Sequence, residues 1–389
     1  MQTDRAAITA LCYLIACALH GETPDETRLS GIDPSELYVL AKRHSLSAIT
    51  YMALQGTAFL QNADPLVIGR WRESKEKAVG KNVMLDTERK QILAELEKKK
   101  IWYMPLKGSL LKFFYPREGM REMADNDILF DGSFRKEVRD VFESRGYQTR
   151  QYARGNHDAY IKAPVYNFEM HVSLFAEFTC PELSGYFGRI EEKLLPDSDS
   201  VCGRHLCDED FYLYAIAHSY KHHSNCGTGL RTLVDAYVMN EHFGSTLDRA
   251  VLDAELRKLH LEAYEKHTVS LARRLFGCAA SVDLSVLPQE ERDIFECCIS
   301  AGTYGTTETH VKNALAKDAE NNPASAKRAK RRYILKRLFP GRKWFKTPYP
   351  FFYHVPVLIP FFWIYRIFRT LFSGKQRIKN EINAVRNAD

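Results

Sequence analysis

Apolar and polar positions alternate with two different periods along this chain, and the changeover points divide it. Up to about residue 99 the apolar positions recur with helical spacing, and Leu85, Ile92 and Leu96 keep one stripe along a helix that closes in the charged run Glu95 to Lys100. Asp33-Pro34 and Asp64-Pro65 each place a side-chain acceptor at a helix N-cap and proline at the first helical position. The stretch from Ala6 to Leu19 is apolar enough to imitate the core of a signal peptide, but Asp4 spoils the basic leader, so the pattern predicts a buried helix.

The pattern then shortens. Ile101 to Leu106 predicts a buried strand, broken by Lys107-Gly108-Ser109, and Leu110 to Tyr115 a helix stopped by Pro116. Asp125 to Phe130 predicts a second strand, and Phe134 to Arg145 a helix ended by Gly146. Tyr160 to Ala163 and Val165 to Leu174 predict two more strands either side of Pro164. From Asp208, taken as an N-cap, helices are expected to about residue 318, followed by a polar basic linker over 321–332. The fold expected is α+β: a small mixed-sheet core over 100–178, embedded between an N-terminal helical region (1–99) and a C-terminal helical domain (179–320), with a basic, aromatic tail over 321–389.

Composition adds two points. Residues 321–389 hold 16 Lys/Arg against two acids, a local charge of +14 in a chain whose total is +6, so the remainder is acidic. Such a tail suits an anionic partner, nucleic acid or lipid headgroups, or stands simply as a solvated basic surface. Within it, Val355 to Phe372 is strongly apolar but interrupted by Pro356, Pro360, Arg366 and Arg369, which argues against a membrane span. Two readings stay open: a helix packed on the body, or a basic amphipathic helix on a membrane surface. The nine cysteines, odd in number and irregularly spaced, fit reduced thiols and a cytoplasmic location better than a disulfide framework.

The candidate chemistry lies in the central block. On a strand, Asp125 and Asp127 project from the same face, and two adjacent carboxylates repel unless a cation sits between them; Mg²⁺ is the natural choice. Glu169, between Phe168 and Met170, would complete a three-carboxylate set if its strand neighbours that of Asp127. Gly108 and Ser109, between strand and helix, would let a phosphate approach backbone amides, with Lys107 as the cation of the loop. His222, Arg231 and Asp235 are expected to line the opposite wall. Cys202, His205, Cys207, His218, His222 and Cys226 match no standard zinc spacing.

Leu106-Lys107-Gly108-Ser109, Tyr115-Pro116, Arg121, Met123, Asp125-Asn126-Asp127-Ile128-Leu129 and Glu169-Met170-His171 together resemble the uncharacterised nucleotidyltransferase family of the DNA polymerase β-like superfamily. The resemblance extends to His218, His222, Arg231, Leu233 and Asp235. It departs at Asn126, where the superfamily pattern has an apolar residue, so that strand is expected to be less buried or slightly distorted. The resemblance implies transfer of a nucleoside monophosphate from a nucleoside triphosphate to an unidentified acceptor, by a two-metal mechanism with Mg²⁺ or Mn²⁺ on Asp125, Asp127 and Glu169. Lys107 and Ser109 would grip the leaving pyrophosphate, and Arg121 would add positive charge. The alternatives are an inactive nucleotide-binding scaffold, or an adaptor acting through the basic tail at a membrane or nucleic acid.

Overall fold

The computed structural model describes residues 5–177, 179–321, 325–346, 349–373 and 375–387. Its first helix, Arg5–His20, is buried over twelve of its sixteen residues, and it packs against the helices Pro34–Arg43, Ser47–Leu54 and Glu262–Phe276. The Ala6–Leu19 stretch is therefore core. Asp33 and Asp64 cap as their sequence requires, accepting from the backbone amides of Ser35 and Leu66. The helix that Asp64 starts, Pro65–Lys98, is 34 residues long, about 51 Å at 1.5 Å per residue. Its Val67 and Trp71 enter one apolar cluster, and its Ile92 and Leu96 enter another.

A five-stranded sheet forms the centre. Its strands are β1 (Tyr103–Pro105), β2 (Asn126–Phe130), β3 (Gln148–Gln151), β4 (His157–Lys162) and β5 (Tyr166–His171), in the order β1-β2-β5-β4-β3. β2 and β5 run parallel; the other pairings are antiparallel. The helix Arg135–Ser144 lies in the crossover between the parallel pair, and its Val138, Val141 and Phe142 join Ile92, Leu96, Ile128, Phe130, Tyr160, Phe168 and Met170 in the second cluster. This is a mixed α+β architecture with the sheet set among helices. The first cluster unites helices from both flanks: Leu11 and Leu37 share it with Leu213, Leu233 and Leu271, while Met104, Leu106 and Leu129 reach it from the sheet.

Several local expectations change. β3 has the sequence Gln-Thr-Arg-Gln and lies at the sheet edge, so no apolar alternation marks it. The run after Lys107 forms one α-turn, Gly108–Leu111, and a 3₁₀ turn, Lys112–Phe114, in place of a longer helix. Asp208 is the first residue of the helix Asp208–His223, and Cys207 takes the cap position. Most of the expected 321–332 linker is helix, Ala326–Leu338; its lysines and arginines are strong helix formers, which the lack of apolar periodicity hides. Residues 322–324 lie outside the described ones. Asn126 is fully buried at the start of β2, contrary to the looser strand expected. Its amide donates to the Leu85 carbonyl at 3.0 Å and accepts from Arg89 at 2.9 Å, so the long helix supplies the partners that an apolar site would lack.

Candidate active site

Strand pairing decides which side chains meet. In the parallel register Asp127 stands opposite Glu169, and across the antiparallel pair His157 stands opposite His171. Because alternate residues share a face, Asp125, Asp127, Glu169, His171 and His157 all project from one side of the sheet. The intervening residues, Asn126, Ile128, Phe168 and Met170, go to the other side and are each 0% exposed.

The two aspartates sit in different electrostatic surroundings. Asp127 Oδ1 accepts from Lys107 Nζ and from His171 Nε2, both at 2.7 Å. Burial alone would raise its carboxyl pKa, but Lys107 and His171 hold it well below the usual carboxylate range. Asp125 makes no ion pair among the described residues. Burial, and then the charges of Asp127 and Glu169, push it up to about 6 against the pull of Lys107 and Arg231. Glu169 is raised by burial and by Asp127. His171 is pushed down to about 4 by burial and by Lys107, so at neutral pH it is an uncharged imidazole donating from Nε2.

The Lys107 loop is held from below. Lys107 takes φ 49° and ψ −121°, a conformation uncommon outside glycine. At Gly108 an added Cβ would lie 2.3 Å from Arg121 Nη1, so glycine is required by close approach. Arg121 is itself bound to Asp235 by two hydrogen bonds, 2.7 and 2.9 Å, and Tyr115 donates to the same carboxylate at 2.7 Å. Arg121 and Asp235, expected as cleft-lining groups, thus form a buried clamp tying the loop to the helix Arg231–Phe243. Ser109 is buried, and its hydroxyl donates to the Leu106 carbonyl at 2.6 Å.

The helical wall supplies a second set of groups. Lys221 lies within electrostatic reach of Lys107, Asp127 and Glu169, and burial and then Lys107 depress its pKa. His218 and His222 stand one turn apart with their Nε2 atoms 3.2 Å from each other. Burial is the first cause holding both below the usual histidine range, His222 at about 4. Arg231 donates to the Glu122 carbonyl at 3.0 Å beside Asp125, and Lys81 donates to the Ala124 carbonyl at 2.9 Å. The remaining cysteines and histidines considered for zinc are dispersed: His205 pairs with Asp197, Cys207 with Asp210, and Cys226 with His310.

Residues 30–277, which include the whole sheet and both walls of this cleft, match the model of a family described as an uncharacterised nucleotidyltransferase. The chain belongs to that family. Membership carries general nucleotidyl transfer, and with it a nucleoside triphosphate as substrate. No curated protein and no solved structure matches the chain.

For a member of this nucleotidyltransferase family the donor set is rich. Burial, and then the charges of Asp127 and Glu169 on the same face, raise Asp125. Among the described residues, one group brings three potential ligand atoms within 4.8 Å of one another: His157, Glu169 and His171. Glu169 Oε2 lies 3.9 Å from His157 Nε2 and 3.7 Å from His171 Nε2. His171 enters the sequence pattern only as the end of Glu169-Met170-His171, and His157 does not enter it. The readable signal was Glu169-Met170-His171, whose i, i+2 spacing on a strand puts carboxylate and imidazole on one face. His157 becomes visible only through the β4–β5 register.

Proposed function

We propose that this chain transfers a nucleoside monophosphate from a nucleoside triphosphate to an acceptor hydroxyl. The observation carrying this is the β2–β5 register, which sets Glu169 beside Asp127 and, with Asp125, gives three carboxylates on one sheet face under a lysine-bearing glycine loop. Asp125, Asp127 and Glu169 would hold Mg²⁺ or Mn²⁺, with His157 beside Glu169 and His171 Nε2 kept as a hydrogen-bond donor to Asp127. Bound there, the ions would offset the charge of carboxylates and triphosphate and lower the pKa of the acceptor hydroxyl.

The chain's own residues would then act in defined ways. Lys107, once it leaves Asp127, would take the β- and γ-phosphates, and the Gly108 amide would face the same groups, the Ser109 amide being bound to the Leu106 carbonyl at 3.3 Å. Glu169, whose pKa is raised, is suited to receive the acceptor proton at Oε2. Arg231 and Lys221 would meet negative charge from the opposite wall, with His222 beside the base or acceptor. Arg121 and Asp235 would act by fixing the loop. The nine free cysteines fit placement in the cytoplasm, which we include in the reading.

The test is thermal stability with each nucleoside triphosphate, with and without Mg²⁺ or Mn²⁺, in wild type and Asp127→Asn. A stabilisation that needs both cation and nucleotide and disappears in the variant is expected. A nucleotide shift indifferent to cation and to the variant would favour a non-catalytic nucleotide-binding scaffold, and no shift at all would end both readings.

A further inference from the structure

The C-terminal segment builds a small aromatic core of its own. Phe345, Ile359 and Phe362 are buried there, with Trp344, Tyr349, Phe352, Tyr353 and Trp363 packed around them. Ile359, Phe362 and Trp363 occupy one side of the helix Ile359–Ser373, and the Arg366 guanidinium lies over the Trp344 ring at 5.2 Å. The opposite side carries Phe361, Ile364, Tyr365 and Phe368, at the i, i+3, i+4, i+7 spacing of one helical stripe. They are 67%, 54%, 57% and 57% exposed. The preceding helix Pro350–His354 adds Phe351 at 62%, and the turn Pro356–Leu358 adds Val357 at 77%. Solvent normally meets single apolar side chains, whereas a contiguous stripe of this kind marks an interaction surface.

Charge selects the partner. Residues 321–389 carry 16 Lys/Arg and two acids, and Lys327, Arg328, Arg331, Arg342 and Lys343 are exposed. Acidic residues of the chain already engage some of the others, as Asp318 does with Arg332 and Lys336. The stripe is aliphatic as well as aromatic, which suits hydrocarbon; a nucleic acid would use the charge and leave Val357 and Ile364 in water. The helix is 15 residues long, about 22 Å, too short for the roughly 30 Å of a bilayer core. Among the described residues no helix is long and apolar enough to cross a membrane. A short helix with an apolar stripe flanked by arginine and lysine lies in the interface, its apolar face about 5–10 Å into the headgroup boundary.

We propose that the exposed face of the Ile359–Ser373 helix, together with the exposed basic residues of the C-terminal segment, docks this protein on an anionic lipid bilayer. The inference stands apart from the nucleotidyl-transfer reading. It is tested with the full chain by co-sedimentation with vesicles of phosphatidylcholine alone, and of three parts phosphatidylcholine to one part phosphatidylglycerol. Wild type is expected to pellet with the mixed vesicles and stay in solution with the neutral ones, and raised salt should release it. The Phe361→Ser/Phe368→Ser variant, altered only at exposed positions, should fold with an unchanged melting temperature and bind the mixed vesicles at least tenfold more weakly; Ile364→Ser should do the same. Equal pelleting by wild type and both variants would overturn the proposal. So would tRNA binding without vesicle binding, or a stripe-dependent dimer in solution that ignores vesicles, since the face would then serve nucleic acid or a second copy.

Discussion

The two faces of the central sheet are made from the same strands, one residue out of phase, and they handle polar groups in opposite ways. On the covered face the one polar side chain of β2, Asn126, is 0% exposed and has partners on both its amide nitrogen and its oxygen. On the cleft face Asp125, Asp127 and Glu169 are gathered with an imbalance of charge, and of the three Lys107 and His171 hydrogen-bond only Asp127. A satisfied polar group serves the fold. An unsatisfied set, held in place by a rigid sheet, is suited to act on something from outside.

Substitutions should separate the faces cleanly. The largest effect is expected for Asp127→Asn and Asp125→Asn, each lowering pyrophosphate release by at least a thousandfold, about 4 kcal/mol of activation free energy. Their stabilities should diverge: Asp125→Asn melts at or above the wild-type temperature because repulsion is relieved, and Asp127→Asn melts lower because Lys107 loses its partner. If both variants unfold, the cleft face is structural and the contrast collapses. On the covered face, Phe168→Ala should cost about 3–5 kcal/mol in urea unfolding, with nucleotide response retained in whatever fraction stays folded. Asn126→Ala, which removes one partner from Arg89 and one from the Leu85 carbonyl, should cost about 1–3 kcal/mol; a neutral result would show that the amide is dispensable to the fold.

The smallest effect calibrates buried polarity elsewhere in the core. His44 is 0% exposed, accepts from the Leu230 amide through Nδ1, and has no partner at Nε2 among the described residues. Burial and then Arg43 push it down to about 4. A depressed histidine pKa means that the unfolded chain takes up the proton first, so stability is lost as pH falls from about 6.5 towards 4. Between about pH 7 and about pH 5 this amounts to at most about 2 kcal/mol. His44→Gln should be less acid-sensitive, so the gap between its urea midpoint and that of wild type should narrow over this range. A constant gap would mean that His44 titrates normally.

Much of this contrast was readable along the chain, because strand alternation needs only local sequence. The same-face placement of Asp125 and Asp127 follows from spacing alone, as does glycine at position 108 from its place between strand and turn. Three things did not follow. β3 is polar and pairs on one side only, so it leaves no periodic trace. Asn126 read as a weak point because its partners come from a helix some 40 residues earlier. Arg121 and Asp235 read as ligand-facing charges, yet they face each other across 114 residues of sequence. All three depend on which distant element arrives alongside, which composition and period do not encode.

Lys107 holds φ at 49° and ψ at −121°, where glycine would rest without strain and a lysine does not. Lys107→Gly would therefore relax the backbone of the turn while leaving Asp127 without its cation and with only the His171 hydrogen bond, two changes of opposite sign at one residue. A position whose most comfortable occupant is glycine, yet which carries a long cationic side chain, is one where sequence drift towards stability and retention of charge pull against each other. In a set of diverging copies of this chain, the residue found there would reveal whether the cleft is still in use.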